Sequence, residues 1–273
     1  MPALRLRASG SEALVFLHGA HVACFRTAEH GELTWLSPRA AFAPDKAIRG
    51  GIPICFPWFG PHPSEPTHPA HGFARTREFR FVGSEASGDN VTAELALDSD
   101  VGTLALFPHH FAARLRVTLG RELSVAFEVE NTDAVAFDYE LALHTYLAVS
   151  DVREVEIDGL ASAIYADKVS GQSGLVEGPA PLRLSGETDR VYDSAARVSV
   201  LDGKRRLLVD KTSSSTTVLW NPWQDKARRL ADFGEDQWPR MLCVEAANTG
   251  AHRIHLPPQA RHVTTTIISA ETV

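Results

Sequence analysis

The stretch FAARLRVTLGRELSVAFEVENT, residues 111–132, limits the possible folds more than any other. Apolar side chains stand at Phe111, Ala113, Leu115, Val117 and Leu119. After the turn Gly120-Arg121-Glu122 they resume at Leu123, Val125, Phe127 and Val129. Strict period-two alternation on both sides of a short turn predicts an antiparallel hairpin with one buried face. Similar short runs recur at REFRFVGS, NVTAELALD, FDYELALHTYLAV, RLLVDK, STTVLWNPW, MLCVEAANT and HVTTTIIS, separated by Gly, Asp, Asn, Pro and Ser. Helical periodicity is scarce, with WQDKARRLADF able to form a turn or two. Many short strands and few helices predict an all-β fold, a large antiparallel β-sandwich or barrel. No linker, charge block or fixed-period repeat interrupts the chain, so residues 1–273 read as a single domain.

Composition narrows the function classes. The chain carries 27 basic against 34 acidic residues, a formal charge of −7. That balance gives no general attraction to nucleic acid or to an anionic membrane surface. An anionic ligand has to be drawn in by a few local arginines against the global field. Cys24, Cys55 and Cys243 form no CxxC pair and read as small buried hydrophobes in a reducing compartment. The amino-terminal MPALRLRASG lacks an apolar run, and nowhere do about 18 apolar residues occur together. The expectation is a cytoplasmic protein, monomeric by default.

Several residues carry chemistry. In FDYELALHTYLAV, alternation puts Phe137, Tyr139, Leu141, Leu143 and Leu147 on one apolar face. His144 lies on the other with Glu140, Ala142 and Tyr146. An imidazole there is suited to proton exchange near neutrality, although, taken alone, a hydrogen-bonded structural histidine is the commoner explanation. Glu245 follows the apolar run Met241–Val244, at what reads as a strand end. It is either a structural partner of an arginine or a base in a site. In IRGGIPICFPWFG, Arg49 precedes Gly50-Gly51, which admit positive φ and close backbone approach. Its planar fork suits phosphate or vicinal hydroxyls. Phe56, Trp58 and Phe59 offer apolar faces to a sugar ring, with core packing the default for at least two of them. Arg75 follows in HGFAR beside His71, after a Pro/His-rich stretch, FGPHPSEPTHPAHG, that reads as a long loop. No phosphate-binding glycine loop of the G-x-x-x-x-G-K-[ST] or G-x-G-x-x-G type is present. None of the twelve histidines falls in a zinc spacing, so no metal site is expected; a cupin-like metal isomerase is the rival on that point.

Taken together, IRGGIPICFPWFG, HGFAR, FEVENT, ALHTYL, ETDRVY, LWNPW, ADF and MLCVE, in this order, resemble the aldose 1-epimerase superfamily. More narrowly they resemble its glucose-6-phosphate 1-epimerase branch. The resemblance implies the galactose-mutarotase-like supersandwich. It also implies interconversion of the α and β anomers of a sugar phosphate without cofactor or metal. Carried over motif by motif, it implies His144 as general acid and Glu245 as general base. Arg49, Arg75 and Asp189 are implied as substrate-binding residues, the arginines as phosphate partners, with His71 in a supporting role. Two departures stand out. Ala70 occupies a position where relatives often have glutamine, and Ala246-Ala247-Asn248 stand where proline and glycine often follow the glutamate. Two other readings share the fold: a mutarotase of unphosphorylated aldoses, and a non-catalytic carbohydrate-binding module.

Overall fold

A computed structural model describes residues 1–273. The predicted hairpin is present: Phe111–Leu119 and Leu123–Asn131 pair antiparallel from Phe111↔Asn131 to Leu119↔Leu123. Burial alternates residue by residue on both strands, because side chains of one parity face the core and those of the other face water. The hairpin sits within an eight-stranded antiparallel sheet that also holds Asn90–Asp98 and the long carboxy-terminal strand Arg261–Thr272. A second eight-stranded sheet runs in the order Gln172–Val176, Ile164–Asp167, Thr188–Tyr192, Thr216–Asn221, Met241–Asn248, Leu141–Leu143, Ile54–Cys55. The strand Tyr146–Ala148 also pairs with Met241–Asn248. A four-stranded meander built from the first 32 residues and a two-stranded ribbon complete the β-structure. The chain is thus an antiparallel β-sandwich, as the alternation predicts. One core of 49 buried residues draws on both large sheets. The helical signal in WQDKARRLADF resolves into one short helix, Trp223–Arg229.

Two sequence expectations are corrected. FDYELALHTYLAV is not one strand but three pieces, Phe137–Tyr139, Leu141–Leu143 and Tyr146–Ala148. The chain leaves the ladder at Glu140 and again at His144-Thr145. The Glu140 carboxylate instead accepts from the Phe59 and Gly250 amides, and the His144 amide donates to the Pro53 carbonyl. Nor is Glu245 at a strand end. Met241–Asn248 continues three residues beyond it, with every residue buried. This strand lies in the sheet interior with partners on both sides, so Ala246-Ala247 stay in the ladder despite their weak β-propensity. Asn248 ends the strand by bonding Ser213, Ser215 and Thr264.

Candidate active site

Strand register brings the two central residues together. Leu143 pairs with Ala246 and Tyr146 with Cys243. Carrying that register through the two intervening residues places His144 opposite Glu245 and Thr145 opposite Val244. Side chains of directly opposed residues share a face. His144 Nε2 lies 3.2 Å from Glu245 Oε1, with the carboxylate side chain 1% exposed and the imidazole 10%. The same parity rule orders the rest of the face. Val218 lies opposite Glu245, and Asp189 opposite Trp220, itself opposite Cys243. One row therefore runs Tyr146, Cys243, Trp220, Asp189, and its neighbour begins His144, Glu245, Val218. The other face of these strands, through Leu141, Leu143, Leu147, Leu219, Leu242 and Val244, joins the main core.

Two small apolar clusters flank the pair, one around Trp35, Tyr146, Trp220 and Phe233 and one around Cys55, Ala142, Val218 and Ala247. Tyr146 stacks on the imidazole at 4.6 Å with the rings 10° from parallel, and Trp220 meets it edge-on at 6.0 Å. The imidazole is thus fixed in orientation by packing. Burial pushes the Glu245 carboxyl well above its ordinary range, with Lys168 and Arg75 acting in the opposite sense. Burial likewise holds the His144 imidazole well below its ordinary value, reinforced by His71, Arg49 and Arg75. Glu245 Oε2 and His144 Nδ1 are buried without hydrogen-bond partners. Each such unpaired group calls for a specific explanation, such as a bound water, an ion or a catalytic role.

Arg49 reaches this face because its loop is pinned to the sheet. The Gly51 amide donates to the Trp35 carbonyl, and the Tyr146 amide donates back to the Gly51 carbonyl. Gly51 has φ +61°, and a Cβ there would lie 2.1 Å from the Val22 carbonyl oxygen, so only glycine fits. The Arg49 guanidinium donates to the Tyr146 hydroxyl at 3.2 Å and to both Asp232 oxygens at 3.3 Å. Of the three aromatics in the following segment, Phe56 and Trp58 belong to the core, as the default reading has it. Phe59 alone sits beside the site, edge-on to His71 at 4.9 Å.

His71 occupies the left-handed region at φ +64°, and its ring lies 6.1 Å from that of His144. Its Nδ1 accepts from the Gly60 amide, so the proton of the neutral ring resides on Nε2. Burial, with Arg75, Lys168 and Arg49 nearby, lowers its pKa to about 3, so it stays neutral. Arg75 donates to the Ala70 main-chain carbonyl at 2.6 Å. The Ala70 side chain plays no part in that contact. Asp189 stands 3.8 Å from Lys226, and burial raises its pKa against the pull of Lys168 and Lys226. All six residues singled out from sequence therefore lie on or around one face.

Sequence reasoning quotes Trp220 and Asp232 only within the stretches LWNPW and ADF, without a role, and passes over Lys168; it puts Tyr146 on the correct face without giving it a role. Lys168 follows the Ile164–Asp167 strand, its amide bound to the Asp189 carbonyl, and its ammonium lies 4.2 Å above the Phe59 ring. Nowhere in the molecule is a group of three or more His, Cys, Asp or Glu placed to hold a metal ion. No helix is long and apolar enough to cross a membrane.

An antiparallel supersandwich with an imidazole and a carboxylate opposed on one sheet face, ringed by cations and aromatics, defines a class: the galactose-mutarotase-like sugar isomerases. Within that class the sequence matches the family described as Aldose 1-epimerase over residues 2–269, and the chain belongs to it. It is an isomerase of the epimerase and mutarotase type. It is 37% identical over 248 residues to a Cenchrus ciliaris protein named "Putative glucose-6-phosphate 1-epimerase", covering 86% of this chain and 74% of the relative. An Escherichia coli K12 protein of the same name is 31% identical over 234 residues, covering 85% and 78%. The crystal structure of "a putative mutarotase (YeaD)" from Salmonella typhimurium superimposes with a TM-score of 0.91 at 26% identity, over 99% of this chain and 90% of the other.

Proposed function

We propose that the enzyme interconverts the α and β anomers of a hexose 6-phosphate, D-glucose 6-phosphate in the first instance, with His144 and Glu245 as its acid–base pair. The observation that carries this reading is the 3.2 Å contact of two buried groups on a face otherwise rimmed by cations. The names of the 37% and 31% identical relatives support the phosphorylated substrate.

Opening a hemiacetal requires removal of the C1 hydroxyl proton and protonation of the ring oxygen. Glu245 takes the first proton and His144 delivers the second. The aldehyde then turns about the C1–C2 bond and recloses with the roles reversed. The pair holds one exchangeable proton throughout. Burial disfavours charge on both members, lowering the imidazole and raising the carboxyl. The Nε2–Oε1 contact is the path by which that proton passes to the imidazole when a sugar arrives. Each positioned proton-transfer group contributes about 10²–10⁴-fold. Arg49, Arg75, Asp189 and His71 hold the sugar phosphate.

Exchange spectroscopy by NMR on the anomeric protons tests this directly. The expected result is accelerated α/β exchange of glucose 6-phosphate, faster than that of glucose. A protein that binds the sugar yet leaves exchange at its spontaneous rate is a carbohydrate-binding module, and the proposal then fails. Equal acceleration of glucose assigns it to unphosphorylated aldoses.

A further inference from the structure

An imidazole that works as a general acid is ordinarily held in place by a hydrogen bond on its second nitrogen. His144 has no such bond. Its Nε2 is spent on Glu245, and its Nδ1 is buried without a partner. What surrounds the ring instead is aromatic. Tyr146, two residues on and on the same face, stacks on it at 4.6 Å and 10° from parallel, while Trp220 meets it edge-on at 6.0 Å. Tyr146 is locked on its own account. Its side chain is buried, stacked on Trp35 at 5.7 Å and met edge-on by Trp220 at 6.0 Å.

Resting on the acid–base reading above, we propose that Tyr146 is the positioning residue of the general acid, its ring face standing in for the missing hydrogen bond at His144 Nδ1. Two effects follow from this geometry. The stack fixes the plane of the imidazole and so keeps Nε2 on Glu245 Oε1; a misplacement of about 1 Å in such an arrangement costs about 10²-fold in rate. The other effect is electrostatic. When the proton passes to His144 a cation forms where burial, His71, Arg49 and Arg75 all disfavour it. The face of a phenol ring carries the negative part of its quadrupole, and a desolvated cation over such a face is stabilised. The hydroxyl has a separate task. Its one hydrogen bond is accepted from Arg49 Nη1 at 3.2 Å, and burial keeps the phenol protonated. Ring and hydroxyl are therefore separable by substitution.

Two variants make the separation: Tyr146→Leu, which removes the ring and keeps a buried apolar side chain, and Tyr146→Phe, which removes the hydroxyl alone. The measurement is kcat and KM for anomer exchange, per folded protein as counted by circular dichroism, on whichever of glucose 6-phosphate and glucose the wild-type enzyme turns over. Tyr146→Leu is expected to lower kcat by about 10- to 100-fold while changing KM far less. Tyr146→Phe should recover most of that kcat and raise KM by about 3- to 10-fold, the worth of one hydrogen bond to Arg49. A Leu variant that keeps the wild-type kcat and loses only Tm or KM overturns the proposal, because Tyr146 then serves the core or the sugar contact alone. A Phe variant as slow as the Leu variant also overturns it, since the hydroxyl and not the ring face is then the working part. Accelerated exchange that persists in His144→Ala removes the acid assignment itself, and the positioning role with it.

Discussion

Replacing Glu245 by Gln separates what this carboxylate does for chemistry from what it costs the fold. The side chain is 1% exposed, its Oε2 has no partner, and its one polar contact is His144. Burial raises its pKa well above the ordinary 4.5. Above pH 4.5 the unfolded chain ionises this group while the fold resists ionisation, so folding is accompanied by proton uptake. The cost grows with pH at about 1.4 kcal/mol per unit until the folded group ionises as well. From 4.5 to pH 7 its ceiling is about 3 kcal/mol. Below pH 4.5 both states hold the proton and the cost vanishes. Glutamine keeps the shape, pays no such cost and presents an amide N–H to the neutral imidazole. Glu245→Gln is therefore expected to lose about 10²–10⁴-fold in anomer exchange while gaining up to about 3 kcal/mol of stability at pH 7. The gain corresponds to several degrees in Tm at about 2–4 °C per kcal/mol for a chain of nearly this size, and it shrinks as pH falls towards 4.5. Denaturation at pH 7 and near pH 4.5, beside NMR exchange rates, measures both. A variant less stable than wild type at pH 7 refutes the reasoning, because the carboxylate would then be held as a stabilising ion pair with imidazolium. A variant with undiminished exchange refutes the base assignment.

His144→Ala removes the proton donor and is expected to abolish accelerated exchange, again by about 10²–10⁴-fold, with unchanged far-UV circular dichroism. The pH profile of kcat/KM, which reports the groups of the free enzyme, should be bell-shaped. Its acid limb is expected below the ordinary imidazole value, since burial lowers His144, and its alkaline limb above the ordinary carboxylate value, since burial raises Glu245. An acid limb above pH 6.5, after correction for the substrate's own phosphate titration, contradicts this. Arg49→Ala breaks the contacts to Asp232 and Tyr146 and should raise KM more than it lowers kcat. Gly51→Ala forces a Cβ to within 2.1 Å of the Val22 carbonyl oxygen at positive φ. It should cost about 3 kcal/mol or more in chemical denaturation.

Much of the fold and of the site is legible in the residues alone. Alternation by itself predicts the hairpin at 111–131, and parity by itself puts His144 on the face away from Leu141 and Leu143, where it is found. Glu245 reads as a strand end because the apolar run stops at Val244. What prolongs the strand is hydrogen bonding to neighbours on both sides, which one segment read alone does not display. Arg49 is legible as a candidate site arginine, but Asp232 lies 183 positions away, so the matching of its charge is not.

The central pair sits on adjoining strands in the middle of a sheet, whereas Arg49 and Arg75 both stand outside regular strands, on connecting segments. Under the assignment proposed above, proton transfer and ligand choice depend on separable parts of the chain. Substitutions in the connections can retune which sugar is accepted without disturbing the reacting groups. An inserted residue in either central strand turns acid and base away from each other at a stroke.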